Sequence, residues 1–401
     1  MAAKKEWLDA ERAQQLADDV LGLNEVHNRT CGDRGVEILY SLAQGSLRSI
    51  VTFMQQVIRT KDVAFRIADR NGRKKAIEAS SLARYFSLLG GMARLYSRRY
   101  SYSPLLRLFF SVYAKHAIRR CMLRGPSRQF DNCSIEGEVF DDFIARLREE
   151  GARVDIVNKL NGWENTSDEN ERNVQRYLRA LFDKHGSLLP VQVDLSYESS
   201  RINEGRVSEL AKTIAREHDE DMAFLYGSET DGVDTHEPLP QHEVDHVIKD
   251  RNRLCTNMPA KPSIFGGMVG HVWRIEWAYT GFYLRVVFLF EGSTPTTDVW
   301  MGEQIGQYWR ECITEGRGSH RNLNLSGRKL GDGSMETGKI EWHETAKREK
   351  LMRVLCRLAR RDRYVFVKPG SKCKRFGMGR KPSTKSERPR AGSAKPRRKT
   401  M

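Results

Sequence analysis

The stretch that most constrains this fold is residues 270–292, GHVWRIEWAYTGFYLRVVFLFEG. Two runs rich in aromatic and β-branched residues flank Thr280-Gly281, the pattern of a β-hairpin with a two-residue turn. The second run closes on Val286-Val287-Phe288-Leu289-Phe290 before Glu291-Gly292 stops it. A strand this apolar is buried on both faces, at the centre of a sheet. Phe282-Tyr283-Leu284-Arg285 then stand where a central strand emerges from the core, a usual place to mount a site. With Thr280-Gly281 as the turn, position 278 pairs with 283 and 276 with 285. Glu276 and Arg285 are thereby expected to face each other as a cross-strand ion pair, worth about 0.2–1 kcal/mol if exposed.

Upstream of the hairpin the periodicity is helical over much of residues 5–185. Apolar residues recur at helical spacing over 6–22, 36–60, 75–89, 104–123, 137–150 and 170–185. Pro104 suits the first turn of its helix, with Ser103 as N-cap. Arg84-Tyr85-Phe86, Arg94-Leu95-Tyr96, Arg98-Arg99-Tyr100 and Tyr102 alternate basic and aromatic residues. Such a run could stack on bases, but inward-packed aromatics with solvated arginines are the preferred expectation. Near Leu188 the period changes. Val191, Val193, Leu195 and Tyr197 fall on one face of a strand, and Gln192, Asp194, Ser196 and Glu198 on the other. Helices over 206–216, 240–257, 298–313 and 343–361 follow, with a last strand at 363–367. The expected class is α+β: a helical region over 1–186, a sheet domain over 187–380 and a tail over 381–401.

Charge and cysteines narrow the function classes. Of the formal net charge of +16, residues 368–401 carry +12, thirteen Lys or Arg against Glu387, which leaves +4 for the rest. This tail is rich in Gly, Pro and Ser, and from about residue 380 it is expected to be disordered. A basic tail of this kind binds a polyanion by releasing counterions, so DNA is the expected partner. Seven scattered cysteines with no CxxC spacing argue for reduced thiols and against a zinc ribbon. No apolar run approaches the ~20 residues of a membrane span, and the first residues lack a secretory h-region. A cytoplasmic, bacterial protein is the expectation.

From Pro190 to Gly379 the sequence resembles the inovirus gene-2-type replication proteins, themselves similar to rolling-circle replication initiators of the HUH type. The residues that carry this are VDLSY (193–197), GHVWRIEW (270–277), FLFEG (288–292), IGQYWRECITEGRGSHRNLN (305–324), RLARRDRY (357–364) and KRFGMG (374–379). Weaker similarity surrounds YSPLLRLFF (102–110). The resemblance implies an HUH-like antiparallel sheet with packing helices. It also implies a His-x-His strand that holds a divalent metal, and a helical tyrosine that attacks a DNA phosphate. The two histidine places fall on Tyr283 and Arg285, the nucleophile's on Arg357, and that of a following lysine on Arg360. Metal ligands and nucleophile are all absent. The resemblance therefore implies a DNA-binding protein of phage or prophage origin without nicking activity and without a cofactor.

Two rival chemistries compete with that reading. His242-Glu243-Val244-Asp245-His246 fits the HExxH zincin pattern, with two imidazoles on one helix face. Asp245 and the lack of a third ligand at a recognisable spacing weigh against it. Alternatively, nicking could survive by substitution, with Tyr364 as nucleophile, His271 and His320 as ligands, and a divalent metal. His271 shares its face with Trp273 and Ile275, which favours a core histidine. The preferred expectation is a cationic cleft in place of a catalytic one, with Arg285, Arg357, Arg360, Arg361, Lys372, Lys374 and Arg375 as contacts to single-stranded or origin DNA. A non-catalytic factor that contacts host or phage replication proteins is the other expectation.

Overall fold

A computed structural model describes residues 44–70, 72–201, 204–227, 241–327, 338–367 and 373–382. The expected helix over 6–22, Lys372 and the tail beyond 382 lie outside the described residues. The principal sheet has six antiparallel strands. Its main path runs β10 (Phe376–Met378), β5 (Met268–Ala278), β6 (Gly281–Glu291), β4 (Ser187–Tyr197), β7 (Gly318–Asn322), and β8 (Ile340–Glu341) also pairs with β4. The hairpin anticipated from residues 270–292 is β5–β6, and its second strand lies mid-sheet between β5 and β4.

Both faces of that strand are covered, as its apolar run requires. On one face Val191, Val193, Leu195, Ile275, Leu284, Val286 and Phe288 join the main core. That side packs on α6 (Gln241–Asn257) through Val244, Val247 and Leu254, and on α7 (Asp298–Tyr308) through Met301 and Ile305. On the other face Leu188, Val272, Val287 and Leu289 pack against α4 (Ile156–His185) and α8 (Thr345–Arg360), through Leu178, Leu181, Leu351 and Leu355. Val287, Phe288, Leu289 and Phe290 are fully buried. At about 1.5–3 kcal/mol per side chain, burying these four contributes about 6–12 kcal/mol of apolar driving force.

The first half is less purely helical than its spacing predicts. Helices α1 (Gln44–Arg59), α2 (Pro104–Lys115) and α3 (Glu136–Arg153) fall within or close to expected segments, and α4 extends its segment to thirty residues. The helix expected over 75–89 does not form. Phe65–Arg70 and Arg73–Glu78 make the hairpin β1–β2 instead, followed by a 3-10 turn at Ser81–Tyr85. The local reason is Asn71-Gly72, a strong two-residue hairpin signal, with Gly72 at φ +75°. Asp141 on α3 accepts from the backbone N–H groups of Ala64 (2.6 Å) and Phe65 (3.1 Å), which fixes where the hairpin begins.

Tyr85, Phe86, Tyr96, Tyr100 and Tyr102 are all buried in the main core. Arg98 pairs with Asp221 and Arg99 with Glu217, both on α5 (Glu204–Gly227). The aromatics of the basic-aromatic run are therefore core residues. Strand β4 begins at residue 187, and the elements before and after it share their packing. Strand β3 (Tyr100–Tyr102) pairs with β9 (Val365–Val367), and α4 packs along α8.

Candidate functional site

The hairpin turns one position earlier than expected. Tyr279-Thr280 is the turn, and Ala278 pairs with Gly281, Glu276 with Tyr283, and Arg274 with Arg285. Gly281, at φ +120°, takes a backbone conformation side-chain-bearing residues rarely adopt, so the glycine serves just after the turn. The pairing moves by two residues, so every side chain keeps its face while its neighbours change. Arg285 forms a bidentate pair with Asp194 on β4 (Nε–Oδ1 2.6 Å, Nη2–Oδ2 2.7 Å). Glu276 pairs with Arg274 (3.3 Å) and Arg361 (3.0 Å). The expected Glu276–Arg285 pair is replaced by these.

The hairpin face opposite the main core thus carries a buried lattice of charge. Arg274, 2 % exposed, binds Glu276 and Asp362 and donates to the Leu358 carbonyl (3.1 Å). Asp362 also receives Arg375 (2.9 Å), whose guanidinium stacks 3.7 Å from the Phe366 ring centroid. Arg360 pairs with Glu171 and Arg363 with Asp168, both on α4. Burial works against the charge on Arg285, but the Asp194 carboxylate outweighs it and holds the guanidinium well above its ordinary range. Burial likewise favours neutral Asp362, and Arg274 and Arg375 outweigh it to hold the carboxyl below its usual range. Burial pushes the Tyr283 hydroxyl up, and the neighbouring Arg285 guanidinium opposes this only in part.

This geometry corrects the expected cationic cleft. Arg285, Arg360 and Arg361 are 3 %, 5 % and 7 % exposed and spend their charge on Asp194, Glu171 and Glu276. A phosphate would have to displace those carboxylates to reach them. Arg375 is likewise taken by Asp362, whereas Lys374 is exposed. Arg357 is half-buried near the end of α8.

The substitute residues are dispersed. His271 is on β5 and His320 on β7, with β6 and β4 between them, so their imidazoles cannot share a metal. The His320 Nε2 lies 3.1 Å from Glu303. Tyr364 is half-buried in the turn before β9, where its carbonyl accepts from Ser103 N–H (2.8 Å). His246 of the HExxH pattern is exposed on α6, and the side chains of His242 and Glu243 lie outside the described residues. Among the described residues, no group of three or more His, Cys, Asp or Glu is placed to hold a metal ion.

Burial pushes the His271 imidazole down to about 4. An unfolded histidine titrates near 6.5, so between these values the unfolded chain binds the extra proton. The stability His271 contributes is complete above pH ~6.5 and is lost as the pH falls toward 4. The urea midpoint is expected to drop across that window, and to drop less in His271→Gln. Equal profiles for both proteins would refute this.

Sequence reasoning missed a cleft of about 750 Å³ at the tip of the same hairpin. Its walls include Tyr197 from the end of β4, Trp277, Tyr279 and Phe282 from the hairpin, Arg99 and Arg317. Trp277 and Tyr279 lie 4.9 Å apart at 58°, and the Arg99 guanidinium is 5.9 Å from the Trp277 centroid. The Tyr197 hydroxyl donates to Asp250 (2.9 Å), and Arg317 reaches the same carboxylate oxygen at 3.4 Å. This shared acceptor sets the Arg317 guanidinium 6.0 Å from the Tyr197 ring. Tyr197, Trp277 and Arg317 lie within segments VDLSY, GHVWRIEW and IGQYWRECITEGRGSHRNLN, so the convergence of those segments was the available signal.

No family model, curated protein or solved structure matches this chain.

Proposed function

We propose that this chain is a nucleic-acid-binding protein on a rolling-circle-initiator-like scaffold that does not cleave its ligand. The observation that carries the binding is the distribution of uncommitted charge. The arginines of the hairpin face are neutralised internally, whereas Lys374, Arg380 and Lys381 around the edge strand β10 are exposed and lead into the basic tail. A cation that keeps its hydration and has no internal carboxylate can exchange counterions with a phosphate backbone. The absence of cleavage rests on Tyr283 and Arg285 at the ligand places and Arg357 at the nucleophile's. Arg285 is additionally locked to Asp194.

Deleting residues 380–401 from the full chain tests the binding. The plot of log affinity against log salt for a single-stranded oligonucleotide is expected to flatten, by roughly 0.7 for each phosphate that the tail no longer neutralises. An unchanged slope would remove the tail from the ligand. Flat, weak binding by the intact chain would reject the nucleic-acid reading and favour a protein partner.

A further inference from the structure

The cleft at the hairpin tip is separate from the face on which the resemblance places catalysis, and none of the chemistry expected there involves it. Its cation is held with unusual care. Trp309–Ile313 forms a π-helical turn, a rare irregularity that is frequent at functional sites. Thr314 closes that turn by donating from its hydroxyl to the Trp309 carbonyl (2.8 Å). The chain then passes through two consecutive left-handed residues, Glu315 at φ +54° and Gly316 at φ +86°. A glutamate gains nothing intrinsic from that conformation, which costs about 1–3 kcal/mol and persists only where the surroundings impose it.

What the detour accomplishes is the placement of Arg317. Its N–H donates to the Thr314 carbonyl (3.1 Å), and its carbonyl accepts from Glu198 N–H (2.8 Å), so the backbone is pinned on both sides. The side chain is half exposed, and among the described residues Asp250 engages Nη2 alone of its donors. A guanidinium carries five N–H donors in a planar fork, so capacity for an anion remains. Trp309 supports the arrangement from below, with its indole N–H on the Ser196 carbonyl (2.8 Å) and its ring 5.9 Å from that of Tyr197.

We propose that this cleft holds one unpaired nucleotide of a single strand, the base against the Tyr279 and Tyr197 rings and the adjoining phosphate on Arg317. This rests on the nucleic-acid reading above and names the part of the strand that is read. Tyr197 and Tyr279 are partly exposed, while Trp277 and Phe282 are buried and form the floor. A cleft of about 750 Å³ is within the usual ~300–1,000 Å³ of small-ligand sites and accommodates a nucleotide. A base inside a duplex has both faces stacked and cannot enter it. Glu198 and Ser200 on the rim offer an acceptor and a hydroxyl to a base edge or sugar. Base stacking on aromatic rings beside a cation is the general means of holding single strands without reading sequence.

The test uses the full chain and an oligothymidylate with one 2-aminopurine, followed by anisotropy for affinity and by 2-aminopurine fluorescence for stacking. Wild type is expected to quench the fluorophore, and a duplex containing it is expected to show no further quenching. Tyr279→Ala is expected to lose the quenching and on the order of tenfold in affinity, whereas Tyr279→Phe keeps both. Arg317→Ala is expected to lose affinity, partly recovered in Arg317→Lys, with the unfolding midpoint of each variant checked by circular dichroism. If the chain binds the oligonucleotide but Tyr279→Ala and Arg317→Ala match wild type in both readouts, the cleft assignment is wrong and the tail-based function stands. If no oligonucleotide binds, both are wrong. Equal quenching by duplex would also overturn the cleft.

Discussion

Arg274→Ala should destabilise this protein by about 3–5 kcal/mol, against a total that for folded domains is commonly only about 5–15. The guanidinium is buried in the sheet and satisfies Glu276, Asp362 and the Leu358 carbonyl at once. Its removal leaves two carboxylates without their shared cation, Glu276 buried and Asp362 only partly exposed. The remaining partners, Arg361 on Glu276 and Arg375 on Asp362, blunt the loss without cancelling it. Urea unfolding followed by circular dichroism measures the change, and a loss below 1 kcal/mol would show that the site relaxes or hydrates. The same lattice sets the acid limit. Asp362 is held below its usual range, so its contribution is present above the unfolded carboxylate value of ~3.9 and lost as the pH falls through the folded one. In Arg274→Ala the folded value rises, and that part of the acid-side loss should shrink.

Restoring histidines at the two expected ligand places should not restore cleavage. The double substitution Tyr283→His with Arg285→His is expected to destabilise the protein by about 3–5 kcal/mol, because Asp194 loses a bidentate partner within the sheet. It is also expected to form no covalent adduct with single-stranded DNA in Mg²⁺ or Mn²⁺, since position 357 still carries an arginine. Thermal unfolding and a denaturing gel of the labelled strand check the two statements. A metal-dependent adduct in this variant would mean that a nucleophile elsewhere, Tyr364 first, lies within reach of the phosphate. A companion variant, Asp194→Leu with Arg285→Met, should cost far less than Arg285→Ala alone, because it leaves no orphaned charge.

The hairpin and its burial were legible because Val286 to Phe290 has no alternative to a two-sided core. The strict alternation over 189–198 likewise marked the two faces of β4. The ion pairs were not legible, for a geometric reason. Moving the turn from Thr280-Gly281 to Tyr279-Thr280 preserves faces and changes every cross-strand neighbour, so Glu276 found Tyr283 opposite it. The partner of Arg285 came from a third strand, and no hairpin argument reaches Asp194. Arg360 and Arg361 read as a basic edge because their neutralising acids come from distant parts of the chain, Glu171 on α4 and Glu276 on β5. Helical spacing over 75–89 lost to Asn71-Gly72, a turn signal present in the sequence. The cleft was hidden for a related reason: Arg99, Tyr197, Trp277 and Arg317 become neighbours only when the sheet is assembled.

Strand β3 waits a long time for its partner. Tyr100 pairs with Val367, so nearly everything between them must be synthesised before that ladder can close. Loop-closure entropy grows only slowly with such separation and leaves final stability almost untouched, but contacts of this span slow folding. On the ribosome the early helices can collapse while Tyr100–Tyr102 still offers unpaired backbone groups, a state open to mispairing between nascent chains. Strand β9 therefore acts as a closing clasp. A chain released before residue 365 would expose the edge that the finished molecule conceals.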